Sequence, residues 1–330
     1  TDVSGCTIDI PIIVDVVSAV NIYTSNPLPQ VCDGEEISII FYGASTYSWF
    51  PPTYLNTNVG STVTITPQDT ITYTITAQNA SGCIDETKIF IDLLPAPNIN
   101  AISAIPAICF DSSVPITASG ANSYVWSPSS SLNSSIGSVV TSSPVVSTQY
   151  KVVGTALNGC KDSSYTTVSI IPLPVLSVTG INNICEGEST NLLVSGANSY
   201  IWSPSNSLNT AVGNIVLANP STSQTYSVTG IDINQCEGIT SHSLSVLPSP
   251  NISITLSEDT ICIGNSSNLI ANGALFYSWI PSSSLNISTG YIVNAMPTST
   301  TTYSVVGTDA NNCSSTSFST INVNPLPILN

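Results

Sequence analysis

Four copies of one nine-residue motif, held at fixed distances from two cysteines and a tyrosine, leave little freedom in what this chain can fold into. The motif is clearest as Gly196-Ala197-Asn198-Ser199-Tyr200-Ile201-Trp202-Ser203-Pro204, and its other copies occupy residues 43–51, 120–128 and 273–281. Eleven residues before each Gly stands a cysteine, at Cys32, Cys109, Cys185 and Cys262, and a second follows it by 51 residues, at Cys83, Cys160, Cys236 and Cys313. Trp49, Trp126, Trp202 and Trp279 all keep one fixed step from the first cysteine, and Tyr73, Tyr150, Tyr226 and Tyr303 keep another from the Trp. The first cysteines recur at nearly constant intervals, with a single position of slack across the whole chain. Such regularity means one folding unit repeated, with almost no room for loop insertions. Within the motif Tyr and Trp are two residues apart, so on an extended strand both rings point to one face and anchor one core.

The period divides 330 residues into units just large enough to hold a core each, which argues against one large catalytic domain. The expected division is 18–94, 95–171, 172–247 and 248–324, flanked by 1–17 and 325–330. Ser4-Gly5-Cys6 matches Ser81-Gly82-Cys83, and Val14 and Val16 fall where Ile91 and Leu93 fall after Cys83. Residues 1–17 therefore read as the last strand of a preceding repeat. Pro325-Leu326-Pro327 repeats the junction Pro172-Leu173-Pro174, so 325–330 reads as the start of another. No leader peptide is recognisable, and the expectation is a window cut from a longer repetitive protein.

Short strands separated by turn residues fill each period, with no 3.6-residue apolar rhythm, so the expected class is all-β with next to no helix. In the third repeat strands are expected at 175–179 (A), 190–195 (B), 199–202 (C), 225–230 (F) and 241–247 (G), with one or two more before Pro220. Tyr226 and Val228 on F, and Leu244 and Val246 on G, alternate inward. About seven strands per period, with turn signals every 8 to 12 residues, describe an immunoglobulin-like β-sandwich. The short Pro-x-Pro junctions predict neighbours stacked end to end in a stiff rod.

Charged residues are only 7 %, and the formal charge of −16 comes from 19 acidic residues against Lys88, Lys151 and Lys161. Without clustered Lys and Arg the chain has no means of gripping phosphates, so nucleic acid is excluded as a partner. No apolar run is long enough to cross a bilayer as a helix, so no membrane insertion of that kind is expected. Nine cysteines at repeating positions in small β units read as disulfides and place the chain in an oxidising, extracellular setting.

The strings Cys-x-Gly-x-Ser, Gly-Ala-x-x-Tyr-x-Trp-x-Pro, Thr-Tyr-x-Val-x-Gly and Asn-Gly-Cys resemble the PKD-like or Ig-like repeats of large Bacteroidota cell-surface adhesins, gliding-motility adhesins among them. The resemblance covers nearly the whole chain. It implies secretion, display on the outer surface, and a mainly mechanical part in cell adhesion. Repeat 2 departs from the pattern, with Phe110-Asp111 where a Gly is usual and Pro115 in strand B, which leaves the start of that strand open.

Residues whose types suggest chemistry have simpler roles. His242 is the only histidine, and its counterparts are Ile89, Thr166 and Ser319, so a surface strand position is expected rather than a triad or metal site. The cysteines have no Cys-x-x-Cys spacing, which disfavours zinc. Asp232 and Asn234, with Asp309 and Asn311, suggest Asx side chains closing a turn in preference to a calcium site. The four tryptophans read as core anchors rather than a sugar-stacking platform. No cofactor, no metal and no enzymatic activity are expected. Asp69-Thr70-Ile71 and Asp259-Thr260-Ile261 resemble Bacteroidota O-glycan acceptors, making Thr70 and Thr260 candidates. Two functions follow: a stalk that spaces or transmits force to a distal tip, or modules gripping a surface glycan or protein through loops such as 208–220. Loops of constant length favour the stalk.

The constant 51-residue spacing makes pairing inside each repeat the first expectation for the disulfides. Geometry objects, because an Ig-like topology sets the first cysteine in the turn before strand B and the second beyond the F–G turn. Those ends are roughly 20 Å apart, against the roughly 4.4–6.8 Å Cα separation a disulfide needs. The alternative staples successive repeats, Cys32 to Cys160, Cys109 to Cys236 and Cys185 to Cys313. Cys6 is expected to have its partner outside this chain. With so few charges to guard strand edges, either O-glycans or side-by-side packing with other copies, in a filament or bundle, is expected to cover them.

Overall fold

The computed structural model describes residues 3–5 and 7–326. All regular structure is β. The first repeat contains β1 (Tyr23–Thr24), β2 (Gln30–Cys32), β3 (Ile37–Tyr42), β4 (Thr46–Phe50), β5 (Thr62–Ile65), β6 (Ile71–Gln78) and β7 (Ile84–Leu94). The second contains β8 (Asn100–Ser103), β9 (Ala107–Cys109), β10 (Val114–Ser119), β11 (Ser123–Ser127), β12 (Val139–Ser142), β13 (Thr148–Thr155) and β14 (Lys161–Ile171). The third runs β15 (Ser177–Thr179), β16 (Asn183–Cys185), β17 (Thr190–Ser195), β18 (Ser199–Ser203), β19 (Ile215–Ala218), β20 (Gln224–Ile231) and β21 (Glu237–Leu247). The fourth runs β22 (Ser253–Leu256), β23 (Thr260–Cys262), β24 (Ser267–Asn272), β25 (Phe276–Ile280), β26 (Ile292–Ala295), β27 (Thr301–Thr308) and β28 (Ser314–Asn324). By contacts the chain forms two compact units, Thr1–Ile171 and Pro172–Asn330, each holding two repeats.

Every repeat is a sandwich of a three-stranded sheet, ordered β1-β3-β5 in the first, on a four-stranded sheet, ordered β2-β7-β6-β4. Labelled by Ig convention, these are A-B-E and A′-G-F-C. Period-2 alternation feeds the core between them: β4, β11, β18 and β25 all bury their second and fourth residues, the Tyr and the Trp of the motif. Trp49, Trp126, Trp202 and Trp279 are 3, 1, 2 and 0 % exposed, and Tyr73, Tyr150, Tyr226 and Tyr303 are fully buried beside them. The motif glycine serves a close approach as well as a turn. Gly196 has φ 108°, and a Cβ there would lie 2.1 Å from the Val175 carbonyl oxygen, so only Gly lets the start of strand A cross beneath.

The loop between strands C and E covers the outer edges of both strands. On the outer side of strand C the Trp202 backbone N–H donates to Ala211 O at 2.7 Å, and Gly213 N–H donates to Tyr200 O at 3.2 Å. On the outer side of strand E, Asn209 N–H donates to Leu217 O at 3.0 Å, and Leu217 N–H donates back to Asn209 Oδ1 at 2.7 Å. The Trp202 indole N–H pins the same loop through Gly213 O at 3.0 Å. These bonds explain the recurring Leu208-Asn209 and Gly213. The remaining edges, A and A′, are strands of two to four residues, too short to template pairing.

One expectation needs correction, and one point left open is answered. Residues 7–22 form no strand, and Val14 and Val16 are 74 and 92 % exposed. In repeat 2, strand B begins at Val114 and carries Pro115 opposite Thr141. Asp111 takes φ 66°, matching Gly34, Gly187 and Gly264 at 82, 84 and 94°, since a short Asx side chain tolerates the left-handed region. Asp111→Gly should therefore stabilise the second repeat by about 0.5–1 kcal/mol, read as a rise in its urea midpoint at unchanged slope.

Candidate functional site: the junction between successive repeats

The first cysteine of each repeat ends a strand that the sequence reading missed. Val31, Ile108, Ile184 and Ile261, each directly before its cysteine, are buried, and this apolar residue is the cue for strand A′. In the first repeat β2 pairs in parallel with β7, setting Cys32 opposite Leu94, the last residue of strand G. Cys185 stands likewise opposite Leu247, and Cys262 opposite Asn324. The chain then turns across the end of G, with Asp33 N–H donating to Leu94 O at 2.9 Å. The first cysteine thus lies where its own repeat passes into the next, at the end of the sandwich opposite its own F–G turn, as the sequence led one to expect.

The second cysteine sits in the F–G turn, built from Asx side chains. Asp232 Oδ1 accepts from Asn234 N–H and Cys236 N–H, both at 2.8 Å, and Asp309 Oδ1 does the same for Asn311 and Cys313. In the first repeat Asn79 takes that place for Ser81 and Cys83. The turn folds back on the segment leading into its own repeat. Asn158 Nδ2 donates to Pro95 O at 3.0 Å, and Cys160 Sγ lies 3.9 Å from Leu94 O. In the third repeat a Cβ on Gly238 would lie 2.2 Å from Pro174 O.

Both cysteines therefore converge on one junction, and they are bonded across it. Cys32 joins Cys160 and Cys185 joins Cys313, each with Cα atoms 5.5 Å apart over 128 residues of sequence. Pairing inside each repeat is overturned: Cys32 does not join Cys83, nor Cys185 Cys236. Any regular pairing gives a constant spacing, and strand A′ decides which one is within reach. Cys109 and Cys236 are also disulfide-bonded. Cys83 and Cys262, expected in disulfides, are free thiols, Cys83 half-buried and Cys262 exposed. Cys6 lies outside the described residues. Six bonded cysteines fit an oxidising, extracellular environment.

The other candidates serve the fold. The Tyr73 hydroxyl donates to Thr53 O, and burial first, with nearby Tyr54 second, pushes its phenol up to about 12. Tyr150 bonds the Ser131 and Ser142 hydroxyls, and Tyr226 that of Ser207. His242 is half-buried on β21, with Nε2 3.2 Å from Ile181 O. Thr70 is exposed, but its Oγ1 accepts from Leu93 N–H, as the hydroxyls of Ser147, Ser223 and Thr300 accept from the matching residues. Thr260 is exposed on β23. Among the described residues no group of three or more His, Cys, Asp or Glu could hold a metal ion. Open depressions of about 550 and 780 Å³ recur beside strand C, lined by Tyr47, Ser48 and Val59 in the first repeat and by Tyr200, Ile201 and Val212 in the third.

No family model matches the chain, and no curated protein matches it in sequence. Among solved structures, the N-terminal eight Ig domains of Down Syndrome Cell Adhesion Molecule are 13 % identical over 92 % of this chain, with a TM-score of 0.30. The chain spans 55 % of that molecule's length in the match. The I-band fragment I67–I69 of titin is 14 % identical, covering 69 % of this chain and 99 % of the fragment, with a TM-score of 0.33. The ICAM-5 D1–D4 ectodomain fragment is 9 % identical, covering 92 % of this chain and 99 % of that fragment, with a TM-score of 0.35. The chain is thus similar to tandem Ig-domain arrays, though at these levels the likeness adds nothing to the fold read from its own sheets.

Proposed function

We propose that the chain is a stalk segment of an extracellular, cell-surface repeat adhesin, transmitting tension through four disulfide-tied units bounded at 18–94, 95–171, 172–247 and 248–324. The observation that carries this reading is the pair of bonds Cys32–Cys160 and Cys185–Cys313, each spanning 128 residues and fastening one repeat to the next. A binding or catalytic unit gains little from such a bond. A chain pulled at both ends gains a second covalent path past its folded units. Pulling single molecules with the bonds intact and reduced tests the reading, and the lengths expected are derived below. The motif strings, which resemble those of Bacteroidota surface adhesins, place the same emphasis on mechanics. On this reading the partners are neighbouring repeats, and Thr70 and Thr260 are acceptors for O-glycans.

A second reading rests on the depressions beside Tyr47 and Tyr200, which recur in equivalent positions as grooves for a glycan would. The stalk reading expects a glycan array probed with the whole chain to stay unlabelled. Saturable binding to one glycan, abolished by Val212→Asp at the rim of the third-repeat depression, would replace the stalk with a binding module.

A further inference from the structure

The first repeat has the shortest strand A of the four. Its β1 is held to β3 by two residue pairs, Tyr23 with Tyr42 and Thr24 with Phe41, where β8 and β22 each pair through four residues and β15 through three. At the pair where strand A begins, the other repeats carry small polar residues: Asn100 opposite Ser119, Ser177 opposite Ser195, and Ser253 opposite Asn272. Those repeats build the same two sheets, so the fold does not require tyrosine at either position.

The two rings stand outside the core, Tyr23 58 % and Tyr42 43 % exposed, and stack on one another with centroids 5.3 Å apart and planes 20° from parallel. Stacking across strands accounts for two aromatic rings, but phenylalanine supplies that equally well. The hydroxyls are what packing leaves unexplained. Buried tyrosines put theirs to use, Tyr47 accepting from Ala44 N–H at 2.8 Å and Tyr73 donating to Thr53 O. Those of Tyr23 and Tyr42 bond to no protein group among the described residues. Tyr165 and Tyr291 are as exposed, yet among the described residues neither has a second tyrosine ring against it. Only at Tyr23 and Tyr42, among the described residues, are two accessible phenols already side by side, held there by strand register.

We propose that this pair is a covalent cross-linking site, at which hydrogen peroxide acting through a haem peroxidase couples the rings into dityrosine and straps strand A of the first repeat to strand B. Oxidation removes one electron and one proton from each phenol. The two radicals join through a new bond between one Cε of each ring. The hydrogen on each of those carbons then passes to the phenol oxygen of its own ring, restoring two aromatic phenols. The two electrons and two protons taken at the start reduce one peroxide to two waters, so the chain emerges lighter by two hydrogen atoms. Coupling needs the stacked rings to close their gap and turn edge to edge, which exposed side chains reach by rotation about χ1 and χ2. Local opening starts where few paired residues must separate, so the two-pair ladder of β1 gains most from such a strap.

The test treats the whole chain, disulfides intact and free thiols alkylated, with a haem peroxidase and limiting hydrogen peroxide at low protein concentration. The expected product is a monomer lighter by two hydrogen atoms, with dityrosine fluorescence and one cross-linked peptide pair containing Tyr23 and Tyr42. Tyr23→Phe and Tyr42→Phe should each abolish the product while keeping the rings that pack across β1 and β3. Tyr165→Phe and Tyr291→Phe should leave its yield unchanged. In the cross-linked chain the Ser25 N–H, which donates to Ile40 O at 3.2 Å, should exchange with solvent more slowly, because β1 can no longer leave β3. No loss of two hydrogens, linkage through Tyr165 or Tyr291 in place of this pair, links formed only between chains, or unchanged exchange at Ser25 after coupling would each overturn the proposal. Those outcomes leave the stalk reading standing, because it rests on the disulfides between repeats.

Discussion

Trp202→Ala should unfold the third repeat under conditions in which the other three stay folded. Emptying a buried indole site costs about 3–5 kcal/mol, and a repeat of this size holds roughly 4–11 kcal/mol in all. The loss goes beyond packing. Trp202 is 2 % exposed, and its indole N–H is one of the bonds holding the C–E loop, whose backbone in turn covers the outer edges of β18 and β19. Without the indole the loop loosens, two edges open, and the variant should aggregate as well as unfold. Trp202→Phe separates the two effects, since it keeps most of the apolar volume and drops only the donor, leaving Gly213 O unpaired at a cost of about 1–2 kcal/mol. Hydrogen exchange followed by mass spectrometry reads each repeat separately. Protection lost in β18–β21 and kept elsewhere is the expected pattern, and unchanged protection in β20 would show that the indole does not anchor this core.

What the sequence made legible was whatever alternates with period 2 inside each repeat. Tyr200 and Trp202 announce strand C because both must face one way, and the fixed step to Tyr226 announces strand F in the same core. Strand A′ escaped notice because it is three residues long, pairs in parallel, and offers only one buried residue, such as Ile184, as a signal. Missing it left Cys185 in a bare turn, yet at the correct end of the sandwich, opposite its own F–G turn; that geometry spoke for bonds between successive repeats, while the constant spacing kept pairing inside a repeat the first expectation. The loop's cover of the C and E edges was hidden for a related reason. Leu208, Asn209 and Gly213 were visible as recurring loop residues, but hydrogen bonds from loop backbone to strand edges leave no compositional trace. Asp111 shows the reverse case, where a departure from the pattern left the turn conformation unchanged because Asp reaches the φ that Gly adopts elsewhere, at a modest energetic cost.

Pulled from its two ends with disulfides intact, the chain should show no extension corresponding to a whole repeat. Tension entering at the N-terminal end reaches Cys32, crosses to Cys160, follows the chain to Cys185, and crosses again to Cys313. The residues between the members of each pair carry no load even when their strands separate, because the bonded Cα atoms stay 5.5 Å apart. Reduction removes both shortcuts and restores two spans of 128 residues to the path, each worth about 420–460 Å of contour at ~3.3–3.6 Å per residue. Reduced molecules should therefore give separate unfolding steps of about 250 Å, one per repeat, where oxidised molecules give none. Stability should fall as well, since cross-links closing loops of this length contribute roughly 3–5 kcal/mol each. Steps of full repeat length in the oxidised chain would mean that the bonds do not shield the repeats, and the mechanical reading would lose the observation it stands on.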